Sequence, residues 1–294
     1  MAESRSGSEL YASPEVVDEA YRVGVEAAIR ASQLVLRYWP SVTNPEFDSS
    51  LELEVESKDQ GTGNYVTVAD KGSERLIIGA IQASPLLSGH RIIAEESDPI
   101  PTGSDWQWVI DPIDGTPPFK NGLPEFGISI GLLKGQEPIM GIIAMPALGQ
   151  ILACRKGQGV QLLSMDGSVL GELSNSPAPP LDQMLVGYDL GYSGRGDQLR
   201  ETISKLSDRI GYPVSYGSSS TGNFRLAMGN IGAYLCRTPT KFDIGAASAI
   251  ITELGGVVTD MQGQPIDWQA QTTSYLASCS PQVHQQVLEI IQGE

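Results

Sequence analysis

The sequence predicts a mixed α/β protein, with an α+β N-terminal half and an α/β C-terminal half. Two observations predict it. Between residues 90 and 155, short apolar runs bounded by acidic residues or Gly turns follow two helical patterns, as a sheet with covering helices requires. Beyond about residue 165 the texture changes: a Ser/Pro-rich connection from Ser174 to Pro180 leads into strands and helices in alternation. The chain has 294 residues, 40% apolar and 18% charged, enough to bury one large core or two packed subdomains.

Residues 1–12 are polar and aperiodic and are expected to form a disordered tail. Ser13 and Pro14 suit an N-cap and first helical position. Val17, Tyr21, Val25, Ala28, Val35 and Tyr38 then recur at helical spacing through Trp39, and Pro40 ends the helix. After a polar stretch from Asn44 to Asn64, Tyr65 to Val68 is β-prone, and Lys71 to Gln82 reads as a helix capped by Asp70. His90 to Ala94 and Trp106 to Ile110 read as buried strands that stop at Glu95-Glu96 and at Asp111. Phe126 to Lys134 and Pro138 to Met145 form a hairpin around Gly135-Gln136, and Ile151 to Arg155 adds a strand. In the second half, Met184 to Tyr188 and Ala233 to Cys236 read as strands. Gln198 to Ile210, Thr221 to Met228, Ile244 to Leu254 and Pro281 to Ile291 read as helices. The expected division is a tail over 1–12, an N-terminal subdomain over 13–175 with most of the acidic candidates, and a C-terminal subdomain over 176–294. No internal repeat is visible.

The net charge of -16 argues against nucleic acid or an anionic membrane as a partner, because both would repel the chain. No apolar run reaches membrane-spanning length, and the first dozen residues lack the apolar segment of a signal peptide. Cys154, Cys236 and Cys279 are isolated and odd in number, which suggests neither a disulfide framework nor a zinc site, and a reducing cytoplasm is the expected setting. The two histidines, His90 and His284, stand beside no candidate Ser or Cys nucleophile, so a catalytic triad is not expected. His284 is expected on a surface helix. The run Gly217-Ser218-Ser219-Ser220-Thr221-Gly222 lacks the Lys of a P-loop and reads as a turn or a substrate-contact loop.

The densest chemical signal is Trp108 to Thr116, where a buried strand delivers Asp111 and Asp114 three residues apart, followed by Gly115-Thr116. Alone, such a string is also a polar turn closing a strand. Its company gives it weight: Glu95-Glu96 ends the preceding strand, and Asp70 and Asp243 each open a helix. Singly, Asp70 and Asp243 read as N-caps; together, four acidic points at element ends describe one assembled site. Crowded carboxylates require a neutralising cation, and hard oxygen donors select Mg2+, Mn2+ or Ca2+ over zinc. A Gly-Thr turn can offer amides and a hydroxyl to phosphate oxygens.

These blocks resemble the inositol monophosphatase superfamily. Its pattern is matched in order by Val66 to Asp70, Glu95-Glu96, Trp108 to Phe119, and Phe242 to Ala246, over about Lys58 to Gly256. The resemblance implies a layered αβαβα sandwich and a Mg2+-dependent phosphate monoesterase with two or three ions, Mn2+ being a substitute. It implies metal ligation by Glu95, Asp111, the Ile113 carbonyl, Asp114 and Asp243, with Asp70 holding a further ion or orienting water. Asp70, Glu95 and Thr116 would activate that water, the amides of Gly115 and Thr116 would bind phosphate, and Gly217, Ser218 and Ser219 would line the substrate loop with Asp114 and Asp243. Glu96 and Lys58 would lie close by. Lithium sensitivity, a homodimer and a small phosphorylated metabolite as substrate are likewise implied.

One departure bears on substrate. Members acting on inositol phosphates carry an acid seven positions before the late Asp; here that position is Cys236, followed by Arg237. A cation there would favour a more anionic substrate such as a 3'(2'),5'-bisphosphorylated nucleotide, although Arg237 also reads as a surface residue. Inositol 1-phosphate is the first expectation and the bisphosphate nucleotidase the second. Sugar, polyol and histidinol phosphates follow, and a catalytically silent phosphate-binding homologue stands outside the enzyme class.

Overall fold

The computed structural model describes residues 13–58, 64–174, 178–191, 197–270 and 273–293. The tail expected over residues 1–12 lies outside them. Helix α1 (Pro14–Tyr38) turns a stripe of Val and Ala onto the core and packs along α2 (Val68–Ala83). Between them, β1 (Val55–Ser57), inside the polar stretch, pairs with β2 (Tyr65–Thr67), which lies on the run read as β-prone.

The first sheet has seven strands in the order of the chain: β3 (Arg91–Ala94), β4 (Trp106–Asp114), β5 (Gly127–Lys134), β6 (Glu137–Met145), β7 (Gln150–Arg155), β8 (Val160–Ser164) and β9 (Val169–Leu173). A short helix α3 (Thr116–Lys120) follows β4. The second sheet has five strands in the order β11-β10-β12-β14-β13. Here β10 is Leu185–Asp189, β11 Tyr212–Ser215, β12 Ala233–Cys236, β13 Val257–Thr259 and β14 Tyr275–Ser278. The remaining helices are α4 (Asp197–Ser207), α5 (Ser219–Ala227), α6 (Lys241–Glu253) and α7 (Pro281–Gln292).

Side-chain alternation along the strands sets the layers. On β4, Trp108 and Ile110 join α1 and α2 in one core, whereas Val109 between them meets α6 residues Ile244 and Ile251 in another. On β12, Tyr234 and Cys236 face that same middle layer, and Ala233 and Leu235 face Leu206, Val283 and Val287 of α4 and α7. Helices α5 and α6 thus lie between the sheets, with α1/α2 and α4/α7 outside, giving the αβαβα sandwich that the resemblance implied.

Several sequence expectations need correction. Strand β4 continues to Asp114 rather than stopping at Ile110. The cap of α2 is Thr67 and that of α6 is Thr240, so Asp70 and Asp243 occupy the third helical position of capping boxes and are not caps. His284 is on α7 but buried, with Nδ1 bonded to Ser278 Oγ at 3.1 Å and Nε2 to Thr259 Oγ1 at 2.9 Å; it ties the helix to the second sheet. Among the described residues no helix is long and apolar enough to cross a membrane.

Candidate active site

Alternation along a regular strand would send residues three apart to opposite faces. Strand β4 avoids this with a bulge: Asp111 pairs with Ser129 and Asp114 with Gly127, so Pro112 and Ile113 of β4 oppose the single residue Ile128 of β5. The extra residue returns Asp114 to the face of Asp111, the face on which Val109 meets α6. Pro112 within the bulge has no N-H to leave unpaired, and its carbonyl accepts from Ser73 Oγ at 3.0 Å. Gly115 then turns the chain at φ 90°, where a Cβ would stand 2.8 Å from the Glu125 carbonyl and from Ser218 Cβ.

Helix α6 brings Asp243 to the same place. Its Oδ2 accepts from the Thr240 amide at 2.6 Å and the Thr240 hydroxyl at 2.9 Å, which leaves the other oxygen outside the capping box. Ligand atoms of Asp111, Asp114 and Asp243 all lie within 4.8 Å of one another. Asp111 Oδ1 accepts from the Ile113 amide at 3.1 Å. Asp114 Oδ2 accepts from Ser218 Oγ at 2.8 Å and from the Ser220 amide. The Ser218 hydroxyl also caps α5, and Ser219 Oγ is 3.4 Å from the Tyr234 hydroxyl, so both serines of the expected substrate loop are held by the protein.

A second group adjoins the first. Asp70 Oδ2 is bound by the Thr67 amide and hydroxyl at 2.9 and 2.5 Å, and its Oδ1 accepts from Thr116 Oγ1 at 3.3 Å. The Thr116 hydroxyl is also 3.2 Å from the Ile113 carbonyl. Lys58 reaches Glu95 at 2.8 Å and Glu96 at 2.5 Å, and the Glu96 amide is held by Glu74 at 2.8 Å. Lys58 was singled out in sequence only as lying near the site; its role as the counter-ion of the Glu pair needs the fold. Cys236 is buried at the end of β12 and Arg237 beside it is half-buried. Asp189, at the end of β10 next to Cys236, carries no pattern in sequence beyond one acid after a strand.

The electrostatics are those of an anionic site with too little positive charge. Burial, then the charges of Glu95, Asp114 and Asp243, push the Asp111 carboxyl well above the usual carboxylate range. Burial, then Asp114 and Glu95, raise Asp243 to about 8. Burial dominates for Asp70 and Asp114, both raised to about 6, and for Glu96, raised to about 7. Burial works against the Lys58 charge, but Glu95 and Glu96 outweigh it and hold the ammonium. An all-oxygen set of this kind fits a hard divalent cation.

The raised pKa values have a consequence for stability. A carboxyl raised in the folded state keeps protons that the unfolded chain has released, so the metal-free protein should lose stability as pH rises from about 4 toward 8. A bound cation favours the ionised forms and removes that loss. Thermal melting in EDTA and in Mg2+ should therefore show a gap that widens from pH 5 to pH 8. An equal gap at both pH values would contradict the linkage.

Known proteins resemble this chain over most of its length. The model of the inositol monophosphatase family matches residues 16–293. The chain is 29% identical over 247 residues to "Nus factor SuhB" of Escherichia coli K12, covering 82% of this chain and 85% of that one. It is 28% identical over 249 residues to "Inositol-1-monophosphatase" of Mesorhizobium japonicum, covering 82% and 85%. The crystal structure of the extragenic suppressor protein suhB from Bartonella henselae superposes with a TM-score of 0.80 at 20% identity, covering 92% and 97% of the two chains. An IMPase/NADP phosphatase complexed with Mg2+ and phosphate superposes at 0.71 with 21% identity, covering 83% and 87%. With a family match that runs from α1 to α7, the chain belongs to the inositol monophosphatase family.

Proposed function

We propose that the protein is a Mg2+-dependent phosphate monoesterase that acts on a small polyol phosphate, with inositol 1-phosphate the first candidate. The observation that carries this reading is the convergence of Asp111, Asp114 and Asp243 within 4.8 Å, beside Glu95 and the Asp70–Thr116 pair. Glu95, Asp111, the Ile113 carbonyl, Asp114 and Asp243 would hold the ions, and Asp70 would hold a further ion or orient water. Divalent cations there would offset the charge of ester and leaving group and make water more acidic.

The protein's own groups supply orientation. The Thr116 hydroxyl, donating to Asp70, is free to accept from the attacking water, and Asp70 is placed to take up the proton through it. Water attacks phosphorus directly, so no covalent phosphoenzyme is needed. At the start of α3 only Gly115 and Thr116 have amides to offer phosphate, because Pro117 and Pro118 have none. The complete acidic set counts against a silent homologue. Arg237 beside the site is the feature that favours the second candidate, a 3'(2'),5'-bisphosphate nucleotidase.

Phosphate release from inositol 1-phosphate and from 3'-phosphoadenosine 5'-phosphate, with Mg2+ or with EDTA, tests the reading. Mg2+-dependent turnover of the polyol ester above the nucleotide is expected, with inhibition by lithium but not by matched potassium salts. Tight phosphate binding without turnover of any ester would overturn it.

A further inference from the structure

Strands β10 and β12 run parallel and adjacent, and their last residues, Asp189 and Cys236, are partners in register. Val186 and Tyr188 of β10, like Ala233 and Leu235 of β12, face the α4/α7 layer. Gly187 and Asp189 therefore face the middle layer with Tyr234 and Cys236, and the space where a Cβ on Gly187 would sit is taken by Ile231 and Tyr234. This puts the Asp189 carboxylate at the C-terminal ends of parallel strands, where open α/β sheets bind ligands.

Asp189 is close to the acidic cluster without belonging to it. Its charge adds to the forces that raise the carboxyl of Asp114, the phenol of Tyr234 and the thiol of Cys236, in each case after burial. The trio that could hold an ion is Asp111, Asp114 and Asp243. Asp189 Oδ1 accepts from the Gly191 amide at 2.8 Å, and among the described residues no Lys or Arg offsets its charge. One carboxylate oxygen is thus fixed by a turn, while among the described residues the other is left as an acceptor beside a thiol that bonds weakly.

We infer that Asp189 accepts the hydroxyl groups of the substrate's alcohol half, and so selects a polyol monoester over an ester that carries further phosphates. The inference rests on the phosphatase reading above and names its specificity-determining residue. A carboxylate at this point strengthens bonds from vicinal hydroxyls and repels a second phosphate.

The test is Asp189→Asn, since Asn keeps the acceptor for Gly191 and removes the charge. At saturating Mg2+, KM for inositol 1-phosphate should rise about 10- to 100-fold, the loss of one charge-assisted bond. With p-nitrophenyl phosphate, which has no alcohol hydroxyls, kcat/KM should stay within about two-fold, as should the Mg2+ concentration for half-activation. Turnover of 3'-phosphoadenosine 5'-phosphate should improve relative to inositol 1-phosphate. Equal losses on both monoesters, an unchanged KM for the polyol, or a loss confined to an amino-alcohol phosphate would overturn the inference. Asp189→Ser, which also keeps a turn acceptor, replaces Asn should melting show that the Asn variant is unfolded. Absence of Mg2+-dependent cleavage of p-nitrophenyl phosphate by the unaltered protein would bring down the phosphatase reading itself. Cleavage of that ester with no Asp189-dependent preference would bring down the specificity assignment alone.

Discussion

Asp111→Asn is expected to lower Mg2+-dependent phosphate release by about 10²- to 10³-fold or more, the scale of losing one preorganised group at a reacting centre. The substitution keeps shape and can still accept the Ile113 amide, which now bonds Asp111 Oδ1 at 3.1 Å. It removes a carboxyl whose ionisation is opposed by burial and then by the charges of Glu95, Asp114 and Asp243. The metal-free variant should therefore melt no lower than the unaltered protein at pH 8, while the rise in Tm on adding Mg2+ should shrink. This combination separates a ligand from a fold residue, because a fold residue would lose Tm and activity together. A variant that keeps its rate and its Mg2+ response would remove Asp111 from the centre of the mechanism.

The acids of the site were legible as residue types at element ends, whereas their geometry was not. In Thr67-Val-Ala-Asp70 and Thr240-Lys-Phe-Asp243, the Thr caps the helix and the Asp bonds back to the Thr amide. Reading the acid as the cap shifts each helix start by three residues. The β4 bulge is also invisible locally: it is defined against β5, and only the pairing shows why residues three apart share a face. Three of the missed strands have causes of their own. β11 contains Pro213, which argues against a strand except at an edge, and β11 is an edge. β13 and β14 are three and four residues long, too short to display a period. Asp189 gains meaning only from its neighbour Cys236, which is 47 positions away in sequence and adjacent in the sheet.

The approach of α6 to the first sheet makes the largest stability prediction. Helix and sheet meet backbone to backbone: a Cβ at Gly141 would lie 2.1 Å from the Ala246 carbonyl oxygen, and one at Gly131 would lie 2.8 Å from the Ala246 amide. Neither neighbour is a flexible side chain that could swing aside, so Gly141→Ala must move the helix. A loss of about 3 kcal/mol is expected, the upper part of the overpacking range, or a fall in Tm of about 6–12 °C for a chain of this size. Gly79→Ala serves as control: Gly79 lies in α2 with nothing within 4 Å of a built Cβ, and there Ala should stabilise by about 0.5–1 kcal/mol. The Gly141 change should also reach the site. Asp243 stands on the first turn of α6, and Ser129 Oγ on β5 anchors that turn through the Phe242 carbonyl at 2.9 Å. Displacing α6 opens the spacing of Asp243 to Asp111 and Asp114, so the Mg2+ concentration for half-activation should rise along with the loss of Tm. If Gly141→Ala lowers Tm yet leaves that concentration unchanged, the sheet fixes the helix axis without setting the distance between the carboxylates.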